Sequence, residues 1–197
     1  WQAYTATSGK MPGYDKEGYY YLTNDLKLTG QSDITVTSYL DLNGKTIICS
    51  DNSRNIALRT AGIAYSIADS KGGGTIEVSK NYAYTAGYGG VIWYTAAATF
   101  NMYGGTIDMT KTPKAPTNPN NAGDEYYLID ISSGGTFAVC GGEIKSAQNG
   151  DCIGSRGNGE INVLGGTIYG EVILRNATDS VTVGGDAKVG IPLTNVS

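Results

Sequence analysis

The sequence predicts an all-β parallel β-helix, a solenoid of about six coils, on three observations. A phrase recurs along the chain: TFNMYGGTI from Thr99, TFAVCGGEI from Thr136 and EINVLGGTI from Glu160, with looser copies YLDLNGKTI from Tyr39 and SVTVGGDA from Ser180. Self-similarity at a period of roughly twenty residues and upward is the mark of a repeat architecture. The 197 residues include 29 glycines but only 5 prolines, without a three-residue period, which calls for many tight turns rather than collagen. Helical periodicity is almost absent, and no apolar run approaches the length of a membrane span.

Residues 1–30 precede the repeat and are read as an N-terminal cap and entry strand. Trp1, Tyr4, Tyr14 and the run Tyr19-Tyr20-Tyr21-Leu22 are apolar enough to cover an open coil end, and a solenoid needs such a cap over its unpaired edge. Residues 31–197 are read as the solenoid, one domain with the cap. Its coils start at Gln31, Ile56, Val91, Leu128, Cys152 and Val172, with Pro192 opening an incomplete turn. Counted from each start, position 10 holds Leu40, Tyr65, Phe100, Phe137, Ile161 and Val181, and position 12 holds Leu42, Ile67, Met102, Val139, Val163 and Val183. Residues two apart on a strand share a face, so both columns should point inward. Ala57, Ile92, Ile129, Ile153 and Ile173 at position 2 join them, as do Ile47, Ile76, Ile107, Ile144 and Ile168 near position 17. The pairs Gly104-Gly105, Gly141-Gly142 and Gly165-Gly166 fall where the chain turns a corner, and glycine takes φ > 0 there at little cost. Parallel crossovers are overwhelmingly right-handed, so a right-handed helix is expected. The chain lacks an initial Met and a signal peptide, which suggests a module of something longer. The end after Leu193 has no counterpart of the N-terminal cap.

Composition narrows the chemistry. The net charge is −4 and the basic residues are scattered, which disfavours nucleic acid and anionic membranes as partners. With no histidine, Ser-His-Asp and Cys-His nucleophilic systems and imidazole acid–base catalysis are excluded. Cys49, Cys140 and Cys152 show no metal-ligand spacing, and all three are expected to be free and packed. Position 18 stacks Glu77, Asp108, Lys145 and Tyr169. Carboxylates on adjacent coils about 4.8 Å apart are the weak candidates for a calcium site or an acid/base pair. The favoured reading is a solvated charge ladder in which Lys145 neutralises Asp108. No other cofactor is expected.

The enlarged coils place their extra residues after position 18, at 49–55, 78–90, 109–127 and 146–151. Stacking therefore brings four loops to one longitudinal edge, and insertions on one face of a solenoid are often its binding face. Tyr82, Tyr84, Tyr88, Trp93, Tyr94, Asp124, Glu125, Tyr126 and Tyr127 gather there. Rings beside carboxylates and amides suit a saccharide, with C–H groups over ring faces and hydroxyls on polar groups; the competing reading is that the tyrosines merely pack the loops down.

GYYYLTNDLKLTG from Gly18, then YLDLNGKTI, then IADSKGGGTIEV from Ile67, resemble the right-handed parallel β-helix (pectate-lyase-like) modules of large extracellular proteins of Gram-positive, often gut-dwelling, anaerobic bacteria. The resemblance implies a secreted or surface-attached, multi-modular protein concerned with adhesion or polysaccharide handling. Its motifs are turn glycines and core residues. The histidine-bearing motif of polygalacturonases is impossible here, and no outward column stacks the acidic calcium cluster of pectate lyases, so no catalytic residue carries over. The expected function is a non-catalytic extracellular module acting in adhesion, in glycan binding or as a structural spacer. Its partners would be a polysaccharide or cell-surface glycan and the neighbouring modules. The alternatives are a polysaccharide lyase or glycosidase using Glu77, Asp108 or Asp124-Glu125, and a self-associating module that pairs through its C-terminal coil.

Overall fold

A computed structural model describes residues 1–5, 8–51, 54–82, 90–112, 127–131, 133–146, 151–155 and 157–190. Among these residues there is no helix; 21 short strands form three sheets in which every pairing is parallel. Sheet A stacks β1 (Gln2–Tyr4), β2 (Gly18–Leu22), β5 (Ser38–Asp41), β8 (Ala64–Ala68), β11 (Thr99–Met102), β14 (Thr136–Val139), β17 (Glu160–Val163) and β20 (Ser180–Val183). Sheet B stacks β3 (Leu26–Lys27), β6 (Thr46–Ile48), β9 (Thr75–Glu77), β12 (Thr106–Asp108), β15 (Glu143–Lys145), β18 (Thr167–Tyr169) and β21 (Lys188–Val189). Sheet C stacks β4 (Ser32–Ile34), β7 (Ile56–Leu58), β10 (Ile92–Tyr94), β13 (Ile129–Ile131), β16 (Asp151–Ser155) and β19 (Glu171–Leu174). From β2 onward the chain visits A, B and C in turn and never doubles back, which makes a parallel β-helix.

The sheets enclose one apolar core, and its columns follow the strand registers. Ile47, Ile76, Ile107, Ile144 and Ile168 stack along sheet B as expected, each fully buried. On sheet A the rings of Tyr65, Phe100 and Phe137 stack, with centroids 6.0 and 5.6 Å apart. Two sequence assignments shift. Leu40 pairs with Ile67, and Ser38 is the residue opposite Tyr65, so Leu40 belongs to the column of Met102 and Val139. On sheet C the inward column holds Ile56 and Val172, while Ala57 and Ile173 pair with the outward Trp93 and Gly154. Both shifts arise because the corner from sheet C to sheet A varies in length, whereas the sequence comparison assumed no gap there.

The corner from A to B keeps one length in three successive coils, from β11 to β12, β14 to β15 and β17 to β18. Gly105, Gly142 and Gly166 have φ of 82°, 84° and 76°. A Cβ on Gly142 would stand 2.4 Å from the carbonyl oxygen of Gly105, and one on Gly166 would stand 2.5 Å from that of Gly142. The recurring glycine is therefore fixed twice, by backbone conformation and by the close approach of the preceding coil.

Residues 1–30 contain both the cap and the first strands of the stack. β2 and β3 are ordinary members of sheets A and B, so the stack begins well before residue 31. The cap is the segment before them. Its Gly9 and Tyr14 carbonyls accept the amides of Thr29 and Thr35, Met11 donates its amide to Ser32 Oγ at 2.9 Å, and the Met11 side chain is fully buried. Tyr65 donates its hydroxyl to the Pro12 carbonyl at 2.7 Å, tying this lid to the aromatic stack beneath. The other end differs: Val181 and Val183, which occupy inward columns, are 43% and 56% exposed.

Candidate functional site

The four long connections run from sheet B to sheet C: β6 to β7, β9 to β10, β12 to β13 and β15 to β16. Their described ends leave sheet B and re-enter at sheet C, beside the outward faces of those two sheets.

On sheet C the outward column runs Asp33, Ala57, Trp93, Asp130, Gly154 and Ile173. Trp93 is half-buried. The Arg54 guanidinium lies 4.1 Å from the centroid of its ring and that of Arg59 lies 5.0 Å away, both within cation–π range. Ala57 is the small residue between Asp33 and Trp93, and Arg59 crosses above it to pair through Nε with Asp33 Oδ1 at 2.7 Å. Partial burial raises the pKa of Asp33, but the hydrogen bonds from Arg59 and Gln31 outweigh it and hold the carboxyl below its ordinary value. The Trp93 indole N–H is buried and meets no acceptor among the described residues. On the next strand, the Asp130 side chain is fully buried although it occupies an outward position.

Tyr127 lies over the same face further along. A Cβ on Gly154 would fall 2.2 Å from its ring, so glycine makes the seat into which the ring packs. The Tyr127 hydroxyl accepts a hydrogen bond from Arg175 Nε at 2.5 Å, and the side chain is 2% exposed. Tyr94, next to Trp93, points the other way because neighbours on a strand face opposite sides. It is fully buried in the core, its hydroxyl donates to the Thr136 carbonyl at 2.9 Å, and burial drives its pKa well up. Tyr82 is 3% exposed and packs in the same core. Of the aromatic candidates within the described residues, Trp93 alone keeps an exposed portion. Tyr84, Tyr88, Asp124, Glu125 and Tyr126 lie outside the described residues.

On sheet B the outward column runs Lys27, Ile48, Glu77, Asp108, Lys145 and Tyr169, in the predicted register. Glu77 and Asp108 are neighbours but turn to different partners. Glu77 pairs with Lys111 at 2.8 Å, while Asp108 accepts the Thr110 amide at 2.9 Å and hydroxyl at 2.6 Å. Lys145 pairs with Glu143 at 3.1 Å, not with Asp108 as the ladder reading had it. Beside Glu77 opens a cavity of about 410 Å³, with Ile48, Lys27, Lys80, Lys111, Asp51 and Asn81 among its lining. Asp51 accepts the Ser79 hydroxyl there. No cluster of three metal-ligating side chains occurs among the described residues.

The cysteines are free, but only two are packed: Cys49 and Cys152 are buried and Cys140 is exposed. Burial, aided by the Glu77 charge, pushes the Cys49 thiol up to about 12.

Sequence reasoning missed Arg54, Arg59, Asp33 and Asp130. Arg54 and Arg59 reach Trp93 from an earlier coil, Asp33 is tied to Arg59, and only the strand register shows it. No protein-family model, no curated protein and no solved structure matches this chain.

Proposed function

We propose that this chain is a non-catalytic extracellular module of a bacterial surface or secreted protein that binds glycans at its loop edge. The observation that carries the reading is Trp93. It is a half-buried indole on the outward face of sheet C, with two guanidiniums over its ring and a carboxylate paired to one of them. An indole face takes sugar C–H groups, its buried N–H needs an oxygen acceptor, and arginines and Asp33 offer donors and acceptors to hydroxyls.

The carboxylates argue for binding rather than bond cleavage. A general acid needs a raised pKa and a general base needs a poised, accessible oxygen. Asp41, Asp33 and Asp179 are all held below their ordinary values by hydrogen-bond donors that outweigh partial burial. Glu77 is tied to Lys111, and Asp108 and Asp69 are bound to turn amides.

The test is a glycan array with the isolated protein and its Trp93→Ala variant, alongside a melting curve of each. Loss of an aromatic contact worth ~1 kcal/mol should weaken a bound glycan severalfold while leaving the fold intact. Binding unchanged in Trp93→Ala would remove the loop edge as the site. Release of reducing ends or unsaturated products from a polysaccharide would remove the non-catalytic reading.

A further inference from the structure

The cavity of about 410 Å³ on the outward face of sheet B plays no part in the Trp93 site, and the stacking register shows what its lining lacks. Ile48, Glu77 and Asp108 are register partners in the outward column. Three residues beyond each come Asp51, Lys80 and Lys111. The three turns stay in step, because Cys49, Val78 and Met109 each donate an amide to the following coil, at Glu77, Asp108 and Lys145. Lys111 reaches back one coil and pairs with Glu77 at 2.8 Å. The same reach from Lys80 ends at Ile48, an apolar side chain where Lys111 finds a carboxylate.

Lys27 stands on the other side of Ile48 as its register partner. Among the described residues neither Lys27 nor Lys80 forms an ion pair. Asp51, at the matching reach from Lys27, is turned to the Ser79 hydroxyl. The lining thus sets Lys27, Lys80 and Lys111 against Asp51 and Glu77, and the Glu77 charge is taken by Lys111. Half-buried Ile48 makes an apolar floor between the two unpaired ammoniums. The volume falls within the range of small-molecule sites, roughly 300–1,000 Å³.

We propose that this cavity binds a small organic carboxylate with an apolar body. The ligand supplies the carboxylate that the chain omits: it sits between Lys80 and Lys27 and accepts charge-assisted hydrogen bonds from both. Its apolar part lies on Ile48 and removes that side chain from water. This site is on a different sheet from Trp93 and stands independently of the loop-edge reading.

The experiment titrates hexanoate into the whole chain at low salt, with acetate, hexanol and hexylammonium as controls. Binding is read by calorimetry and by the methyl spectrum of isoleucine-labelled protein, in which Ile48→Val assigns the Ile48 signal. Hexanoate should bind one to one, shift the Ile48 methyls, and bind about tenfold more tightly than acetate, which covers little of the floor. Hexanol and hexylammonium should bind more weakly still. Lys80→Met should weaken hexanoate about fivefold, and Lys80→Arg should retain it. Ile48→Glu gives Lys80 its carboxylate from the chain itself and should abolish binding while the melting temperature holds. Trp93→Ala should leave hexanoate binding as it was. Absence of hexanoate binding, equal binding of acetate, hexanol or hexylammonium, or binding unchanged in both Lys80→Met and Ile48→Glu would overturn the proposal. Binding lost in Trp93→Ala but kept in Ile48→Glu would also overturn it, by placing the carboxylate at the guanidiniums of sheet C.

Discussion

Asp179 accepts four hydrogen bonds at once: the amides of Asn176 at 2.8 Å and of Arg175 and Gly159 at 3.0 Å, and the hydroxyl of Ser155 at 2.8 Å. Partial burial raises its pKa, and these donors together lower it further than burial raises it, so the folded value lies below the ordinary one. The contribution is therefore fully present above the unfolded carboxyl value of about 4 and is lost as pH falls through the depressed folded value. Asp179→Asn should cost about 2 kcal/mol at neutral pH and flatten the acid limb of the stability curve; equal acid sensitivity in variant and wild type would contradict this. Thiol reactivity offers a second check at this scale. Cys140 is exposed while Cys49 and Cys152 are buried, so a thiol reagent should label about one cysteine per native chain and all three in denaturant. Rapid native labelling of Cys49 would be incompatible with a thiol pushed up to about 12 by burial.

At the scale of the strand, the same residue type has different worth at different heights in the stack. Val163 and Val183 are register partners in one inward column, yet Val163 is fully buried and Val183 is 56% exposed. Val163→Ala should cost ~2 kcal/mol and Val183→Ala under ~0.5 kcal/mol, since only the former opens a cavity; chemical denaturation of the two variants measures the difference. The column itself was readable in the sequence wherever corner length is constant. Phe100 to Ile107, Phe137 to Ile144 and Ile161 to Ile168 all span the same glycine corner, so those residues fall into place. Where the C-to-A corner lengthens or shortens, the reading slipped, and Leu40, Ala57 and Ile173 went to the wrong column. The loop edge was legible because insertion positions survive such slips. Its aromatic members were less so. Trp93 and Tyr94 are adjacent and must face opposite ways, and nothing in residue type says that Tyr127 will pack onto Gly154. The arginines over Trp93 were invisible because they reach it from an earlier coil.

For the whole molecule, stacking makes stability a sum of coils and of the interfaces between them, so the two ends need not be equal. The N-terminal end is closed: the Met11 side chain is buried beneath it, Tyr65 is tethered to Pro12, and backbone carbonyls of the lid accept amides of Thr29 and Thr35. At the far end β20 has all four residues exposed, and β19 and β21 are the last described strands of their sheets. Opening from that end uncovers little apolar surface and breaks one strand pairing per sheet, whereas opening at the other must first displace the lid. Amide exchange in the native state should therefore form a gradient, with residues 171–190 exchanging fastest and the amides of β5, β8 and β11 slowest. Met11→Ala should leave residues 171–190 as they were and speed exchange in β2 to β5, because it loosens the lid alone. Uniform protection from one end to the other would mean that the coils unfold as a single unit. An unchanged N-terminal rate in Met11→Ala would mean that the segment before β2 is not what seals the core.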